Sequence, residues 1–328
     1  MNDMKISFMR NFLCLLVASL SVSTDAQEIY PSKPVQLVAP AAGVSTDVIG
    51  RIIADKFQRQ TGQPMVIVNR PGAAGTIAAQ AVATSPADGY TLLMVNAAHV
   101  INTFLYPDLP FDNMRDFVGV GLVAEAPFII VVGGQLGIRT LSEFIALAKT
   151  TPGALNYASA GFGSTTHLAG ALFASRAEID LVHVPYKAMA SITTDFLGGR
   201  IQAGFYPPGF LMSQIKEGKI AALAVTSKES VRDPIALPSV REASGVDYEF
   251  TSWNGVLAPA KTPAPVLERI SRAFVQIMQD EEVRSKMISI GQTPRALMLQ
   301  DFDAYMKVEL NRFGAIVKAS GATANKRD

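Results

Sequence analysis

The chain of 328 residues carries 29 Lys+Arg against 28 Asp+Glu; it is 49% hydrophobic and 17% charged. A formal net charge of +1 lacks the basic excess of proteins that neutralise nucleic-acid phosphates, so no nucleic-acid partner is expected, and the apolar content is too high for a disordered chain. One cysteine and three histidines exclude a disulfide framework and a cysteine-rich zinc cluster, which leaves the chemistry to hydroxyls, backbone amides and carboxylates, with no metal or cofactor expected.

Residues 1–26 read as a secretory signal: Lys5 and Arg10 are basic, 12–18 are apolar, and the small Thr24 and Ala26 precede the cut. The apolar run is too short to span a bilayer. Cleavage after Ala26 removes Cys14, the only cysteine, which suits an oxidising compartment. The expected location is the periplasm.

In the mature chain the run 35–39 has strand character and is followed by Pro40-Ala41-Ala42-Gly43-Val44-Ser45. Thr46 and Asp47 are good N-cap residues for a helix reaching about Gln60. A strand at 65–68, a turn at 69–75, a helix and a strand at 91–95 follow. This alternation predicts a parallel sheet covered on both faces. It restarts with strand 129–132, helix 141–149, strand 155–158, the loop Gly161-Phe162-Gly163-Ser164-Thr165-Thr166 and a helix to about Ser175. Runs 181–184 and 222–225 extend the second sheet. Helices spaced by Val266, Ile270, Phe274 and Ile277, and by Phe302, Met306, Leu310, Phe313 and Val317, have no sheet of their own, so the C-terminal part is expected to pack on the first lobe. The expected architecture is α/β with two lobes, each a mainly parallel sheet flanked by helices. Lobe 1 takes 27–127 plus 252–328 and lobe 2 takes 128–251, with crossings near Pro127 and Thr251.

The loops 41–45 and 161–164 share one design, small residues and hydroxyls between a strand and a helix. Free N–H groups and the partial positive charge of a helix start can hold a carboxylate without a basic side chain, and such loops lie where ligands bind in open α/β sheets. Ser159, in Tyr157-Ala158-Ser159-Ala160-Gly161, departs from the G-x-S-x-G elbow at its first position, and no sequence spacing ties His167 or His183 to it. The favoured state of His167 is a neutral imidazole bonded to the loop backbone. His99, after Asn96-Ala97-Ala98, fits either the cleft wall or the core. Trp253 is expected as a packing anchor.

Taken in order, Tyr30-Pro31-Ser32-Lys33-Pro34, Asn69-Arg70-Pro71-Gly72, Ala87-Asp88-Gly89-Tyr90-Thr91-Leu92-Leu93, Leu155-Asn156-Tyr157-Ala158-Ser159, His183-Val184-Pro185-Tyr186-Lys187 and Leu257-Ala258-Pro259 resemble the Bug-type substrate-binding proteins of tripartite tricarboxylate transporters. The resemblance covers nearly the whole mature chain. It implies a periplasmic-binding-protein type II (Venus-flytrap) fold without catalysis, a small carboxylate held by loop amides, hydroxyls and waters, and integral-membrane transporter subunits as partners of a monomeric receptor. The expected ligand contacts are Val44, Ser45, Thr46 and Asp47 from the first loop, Asn96 and Ala97 from the third strand's end, and Ser159, Gly161, Gly163, Ser164, Thr165, Thr166 and His167 from the second loop. Met189, Phe205 and Tyr206 complete the set. The chain departs from the family pattern at Gly43-Val44-Ser45, at Ala188-Met189 and at Tyr206-Pro207-Pro208, each change making the cleft bulkier or less polar. The carboxylate is expected against Ser164, Thr165, Thr166, Ser45 and Thr46, with Val44, Met189 and Tyr206 around an apolar or aromatic body. Two alternatives stand beside this: a sensory receptor for a signalling partner, and a secreted hydrolase using Ser159.

Overall fold

The computed structural model describes residues 30–187, 189–232 and 234–320; the expected signal, 1–26, lies outside the described residues. The first sheet grows from β1 (Val35–Ala39), a run of mostly buried residues that includes the β-branched Val35 and Val38. Helix α1 (Ser45–Thr61) then buries Ile49, Ile53 and Phe57 along one stripe, and Gly62, at φ 73°, stops it by returning its amide to the Gln58 carbonyl. β2 (Met65–Asn69), α2 (Thr76–Ala83), β3 (Thr91–Asn96) and α3 (Ala98–Leu105) continue the alternation. β1 pairs in parallel with both β2 and β3. The long β4 (Phe117–Pro127) leads out of this sheet.

The second sheet begins at β5 (Ile129–Gly133). Its helix α4 (Leu141–Thr150) starts in a capping box between Thr140 and Glu143. Then come β6 (Leu155–Ser159), α5 (Thr165–Ala177), β7 (Leu181–Pro185), α6 (Met189–Leu197), β8 (Ala203–Tyr206), α7 (Met212–Lys216), β9 (Ile220–Val225) and α8 (Val240–Ser244). The chain returns through β10 (Thr251–Pro259), α9 (Ala264–Gln279), α10 (Glu281–Ser289), β11 (Thr293–Met298) and α11 (Gln300–Ser320). The strand orders are β11-β4-β10-β3-β1-β2 and β7-β6-β8-β5-β9.

Both sheets are mixed, which corrects the expectation of mainly parallel ones. β10 runs antiparallel to β3 and β4, and β11 antiparallel to β4. β5 runs antiparallel to β8 and β9. The reason lies in the crossing. β4 leaves the first sheet at Pro127, opposite Thr251 where β10 re-enters, and Ile129 stands opposite Val225 on the other side. Outgoing and returning segments lie side by side in opposite directions, so they pair antiparallel. Thr226 knits the crossing together: its hydroxyl accepts the Phe128 amide at 2.7 Å and donates to the Phe250 carbonyl at 2.6 Å. The Phe128 and Phe250 rings pack 5.5 Å apart above it.

Three buried clusters organise the interior. One lies between β1 and the α1 and α9 helices, with Phe57 and Phe274 at its centre. Another covers the far face of the second sheet through Ile192, Phe196 and Tyr206. The largest runs across both sheets, from Val100 and Trp253 through Phe128 and Phe250 to Tyr157 and Phe173. Trp253 is fully buried, as expected of an anchor. Helix α11 lies on this shared core through Phe302, Met306 and Phe313. It reaches beyond the first sheet's half: the Ser175 hydroxyl of α5 donates to the Ala319 carbonyl. Among the described residues, no helix is long and apolar enough to cross a membrane.

Candidate functional site

The corner between β1 and α1 is built without a side-chain cap. Val44 takes the N-cap place, and its carbonyl accepts the Asp47 and Val48 amides at 3.0 and 3.1 Å. The Ser45 and Thr46 amides, the first two of the helix, have no acceptor among the described residues. Thr46 Oγ1 is buried without a partner. Asp47, expected as an N-cap and ligand contact, is instead a buried brace. Its carboxylate accepts from the Gly43 amide at 3.0 Å, from Arg51 at 3.0 Å and from Asn69 at 3.0 Å. Burial pushes its pKa up, but Arg51, Gly43 and Asn69 together outweigh burial and hold it below the usual range.

Two residues that sequence reasoning missed complete this side. The Ser45 hydroxyl donates to Asn254 Oδ1 at 3.2 Å, and Asn254 Nδ2 donates to Gln292 Oε1 at 3.3 Å. Asn254 and Gln292 are both about 2% exposed. An asparagine inside the apolar strand that follows Trp253 was the available signal, since buried amides need partners. Asn254 stands opposite Asn96 in the β10–β3 register. Asn96 Oδ1 accepts the Ala98 amide at 2.9 Å at the start of α3, and Ala97 is fully buried beside it.

The corner between β6 and α5 is more heavily bonded. Ser164 caps the helix: its Oγ accepts the His167 amide at 3.2 Å and donates to the Gly161 carbonyl at 2.7 Å. Thr166 Oγ1 accepts the Ala160 amide at 2.9 Å and lies 3.0 Å from Ser164 Oγ, to which its proton goes. The Gly161 amide donates to Ser159 Oγ at 3.1 Å, and the Gly163 amide to His167 Nδ1 at 3.2 Å. Phe162, Thr165 and Thr166 keep amides with no acceptor among the described residues. The Thr165 hydroxyl is likewise unpaired. So the hydroxyls of Ser159, Ser164 and Thr166 shape the corner from within, and the donors left for a guest are the Thr165 hydroxyl and the helix-start amides.

The β6–α5 corner lies against α3 of the first sheet's half. Gly163, at φ 72°, faces α3, and a Cβ there would stand 3.2 Å from Asn102 Oδ1 and 3.3 Å from the Tyr106 ring. Asn102 Oδ1 is buried without a partner, while its Nδ2 donates to the Ala74 carbonyl at 3.1 Å. On the other side Gly209 packs against the Ile290 carbonyl, and Gly291 against the Pro208 ring.

Phe205 and Tyr206 do not line this region, which corrects their placement in the cleft wall. β8 is an inner strand with helices on both faces, so its alternating side chains enter two cores. Both are fully buried; Tyr206 donates its hydroxyl to the Ala158 carbonyl at 2.7 Å, and Phe205 packs 5.4 Å from Phe173. Met189 starts α6 half-buried, and Val44 is half-buried in its loop. His99 belongs to the core: its Nε2 lies 2.8 Å from the Asn113 carbonyl, and burial lowers its pKa to about 4. Two surface depressions of about 370 and 340 Å³ lie elsewhere, one beside Tyr30, Phe57 and Arg272, the other beside Lys149 and Arg176.

Ser159 Oγ does reach an imidazole, His183 Nε2 at 2.6 Å. The hydroxyl is fully buried, and His183 Nδ1 has no partner to orient it. An acyl-transfer site needs an exposed nucleophile and an oriented base, and neither condition is met.

Residues 49–322 match the family described as "Tripartite tricarboxylate transporter family receptor". A protein from the tcbD-tcbE intergenic region of Pseudomonas sp. strain P51 is 34% identical, over 84% of this chain and 84% of its own length. Protein BugT of Bordetella pertussis is 30% identical, over 95% of each chain. Among solved structures, an R. palustris protein with adipate has a TM-score of 0.86 at 30% identity, covering 90% of this chain and 100% of its own. The Rhodopseudomonas palustris protein MatC with bound malate has a TM-score of 0.79 at 28% identity, covering 88% of this chain and 100% of its own.

Proposed function

Since the chain belongs to the tripartite tricarboxylate transporter receptor family, whose members are periplasmic solute-binding receptors and not enzymes, we propose that it captures a small organic dicarboxylate between two lobes in the periplasm and presents it to membrane transporter subunits. The lobes are residues 27–127 with 252–328, and residues 128–251, each carrying one sheet. The observation that carries this reading is the matched pair of corners: each offers the first two amides of a long helix without internal acceptors, and neither relies on a lysine or arginine. A carboxylate at each corner satisfies both sets of donors at once. In this conformation Gly163 rests against α3, so entry requires the lobes to part about the Thr226 crossing. Adipate and malate, bound by the two neighbours above, are the natural first probes.

The side chains narrow the guest further. Asp47 is already saturated by three donors, so no free carboxylate is on hand at this corner for an ammonium group. Calorimetry of the purified protein against adipate, malate, benzoate and aspartate tests the reading. Binding of a diacid with a dissociation constant at least about tenfold tighter than that for aspartate is expected, a gap of about 1.4 kcal/mol. Aspartate bound as tightly as the best diacid, or no carboxylate bound at all, would remove the reading.

A further inference from the structure

His167 and His183 form a connected group beside the β6–α5 corner whose bonds point into the loop backbone. Their rings stack 4.0 Å apart at 19°. Phe162, the residue between the two glycines of the corner, sits edge-on to both, at 5.3 and 4.8 Å. On one side of the stack the Gly163 amide donates to His167 Nδ1. On the other, His183 Nε2 meets Ser159 Oγ, which also accepts the Gly161 amide. Both glycines have positive φ, 106° at Gly161 and 72° at Gly163, a backbone shape that glycine allows; the Gly163 amide is tied directly to His167, and the Gly161 amide reaches His183 only through the Ser159 hydroxyl. We propose that His167 and His183, as a neutral stacked pair, are positioning residues that hold the β6–α5 corner ready for a carboxylate, and that protonating the pair releases the corner and its ligand.

The direction of the hydrogen bonds requires this. A backbone amide only donates, so His167 Nδ1 must be bare and the proton must sit on Nε2. An imidazolium would set N–H against N–H and break the Gly163 contact. His183 can take a proton and still bond Ser159, but its charge then lies 4.0 Å from the His167 ring, so the stack accommodates one charge at most. The surroundings offer no compensation. From β6, Tyr157 faces His183 at 5.0 Å and gives its hydroxyl to the His167 carbonyl. From the loop comes the apolar Phe162, and from α5 the positive end of the helix. Among the described residues no acidic or basic side chain forms an ion pair with either ring. Burial lowers His167 to about 4, and burial together with His167 lowers His183 to about 3.

The inference rests on the corner being half of the carboxylate site, and the test separates the two. The Gly163 amide of the ligand-free wild type is followed by NMR from pH 7 to pH 3, alongside adipate and malate affinity by calorimetry over the same range. The reference is His167→Asn/His183→Gln, whose side-chain amides replace Nδ1 and Nε2 as hydrogen-bonding groups and do not titrate. The Gly163 resonance should shift with a midpoint near pH 4 in the wild type and stay still in the variant. The affinity of the wild type relative to the variant, which cancels ionisation of the ligand, should fall about twofold by pH 4 and about tenfold by pH 3 if only the neutral pair binds. A still Gly163 resonance in the wild type overturns the inference without any variant. A wild type that binds with a flat affinity ratio overturns it and leaves the receptor reading intact. A wild type that binds neither probe at any pH overturns both.

Discussion

At position 164 the hydroxyl is engaged on three sides by the Gly161 carbonyl, the His167 amide and Thr166 Oγ1, while the hydroxyl of Thr165 has no bond among the described residues. Neighbours of similar chemistry therefore have separable roles. Ser164→Ala removes an N-cap and should lower stability by about 1 kcal/mol, seen as a lower melting temperature. Thr165→Ala should leave melting within about 1 °C, since its hydroxyl has no hydrogen bond to lose among the described residues, but weaken diacid binding about tenfold or more, because hydrogen bonds to charged groups contribute about 1.5–3 kcal/mol. Equal melting and equal affinity in both variants would show that this corner neither caps α5 through Ser164 nor meets the ligand through Thr165. The residue types at both corners were legible in the sequence. Which hydroxyls were already taken was not, because Ser159 finds His183 across a strand pair and Ser45 finds Asn254 from a strand 209 positions away.

Among the elements, those that alternate strand and helix were readable, since apolar periodicity and turn residues act locally. The long strands β4 and β10 were not, and their glycines explain why. Gly119 and Gly255 look like strand breakers, but a Cβ at either would collide with Phe302 of α11. They are required by a helix packed from the end of the chain. The same holds for the crossing, where one threonine serves two segments. Thr226→Val keeps the shape but strips the Phe128 amide and the Phe250 carbonyl of a buried partner. A loss of about 2 kcal/mol or more in urea-unfolding free energy is expected. Retained stability would mean that water or a backbone shift satisfies these groups and that the crossing does not depend on this side chain.

For the whole molecule, three histidines with no ion-pair partner among the described residues, His99 and His167 buried and His183 half-buried, shape the response to acid. His99 and His167 are lowered to about 4 and His183 to about 3, against an ordinary value near 6.5. Between about pH 6.5 and pH 4 the unfolded chain binds protons that the folded one refuses, so the free energy of unfolding falls as pH falls through that window. Thermal melts at pH 7, 5.5 and 4.5 should show a steady decline of the midpoint. A midpoint that rises or holds level down to pH 4.5 would contradict the buried neutral state of these rings. Helix α11 adds a second global feature. Its sequence places it on the first lobe, and its end also bonds α5, so it touches both sheets' halves.

The sequence by itself determined the two-sheet α/β plan, the near-neutral surface and the two helix-start corners, because composition, periodicity and capping chemistry are properties of short stretches. Tertiary structure alone decided the antiparallel strands that make both sheets mixed, the burial of Phe205 and Tyr206, and the division of the corner hydroxyls into braces and free donors. Each of those depends on which distant segment arrives as a neighbour, and a polar group's role is set by the partner it meets when water is excluded.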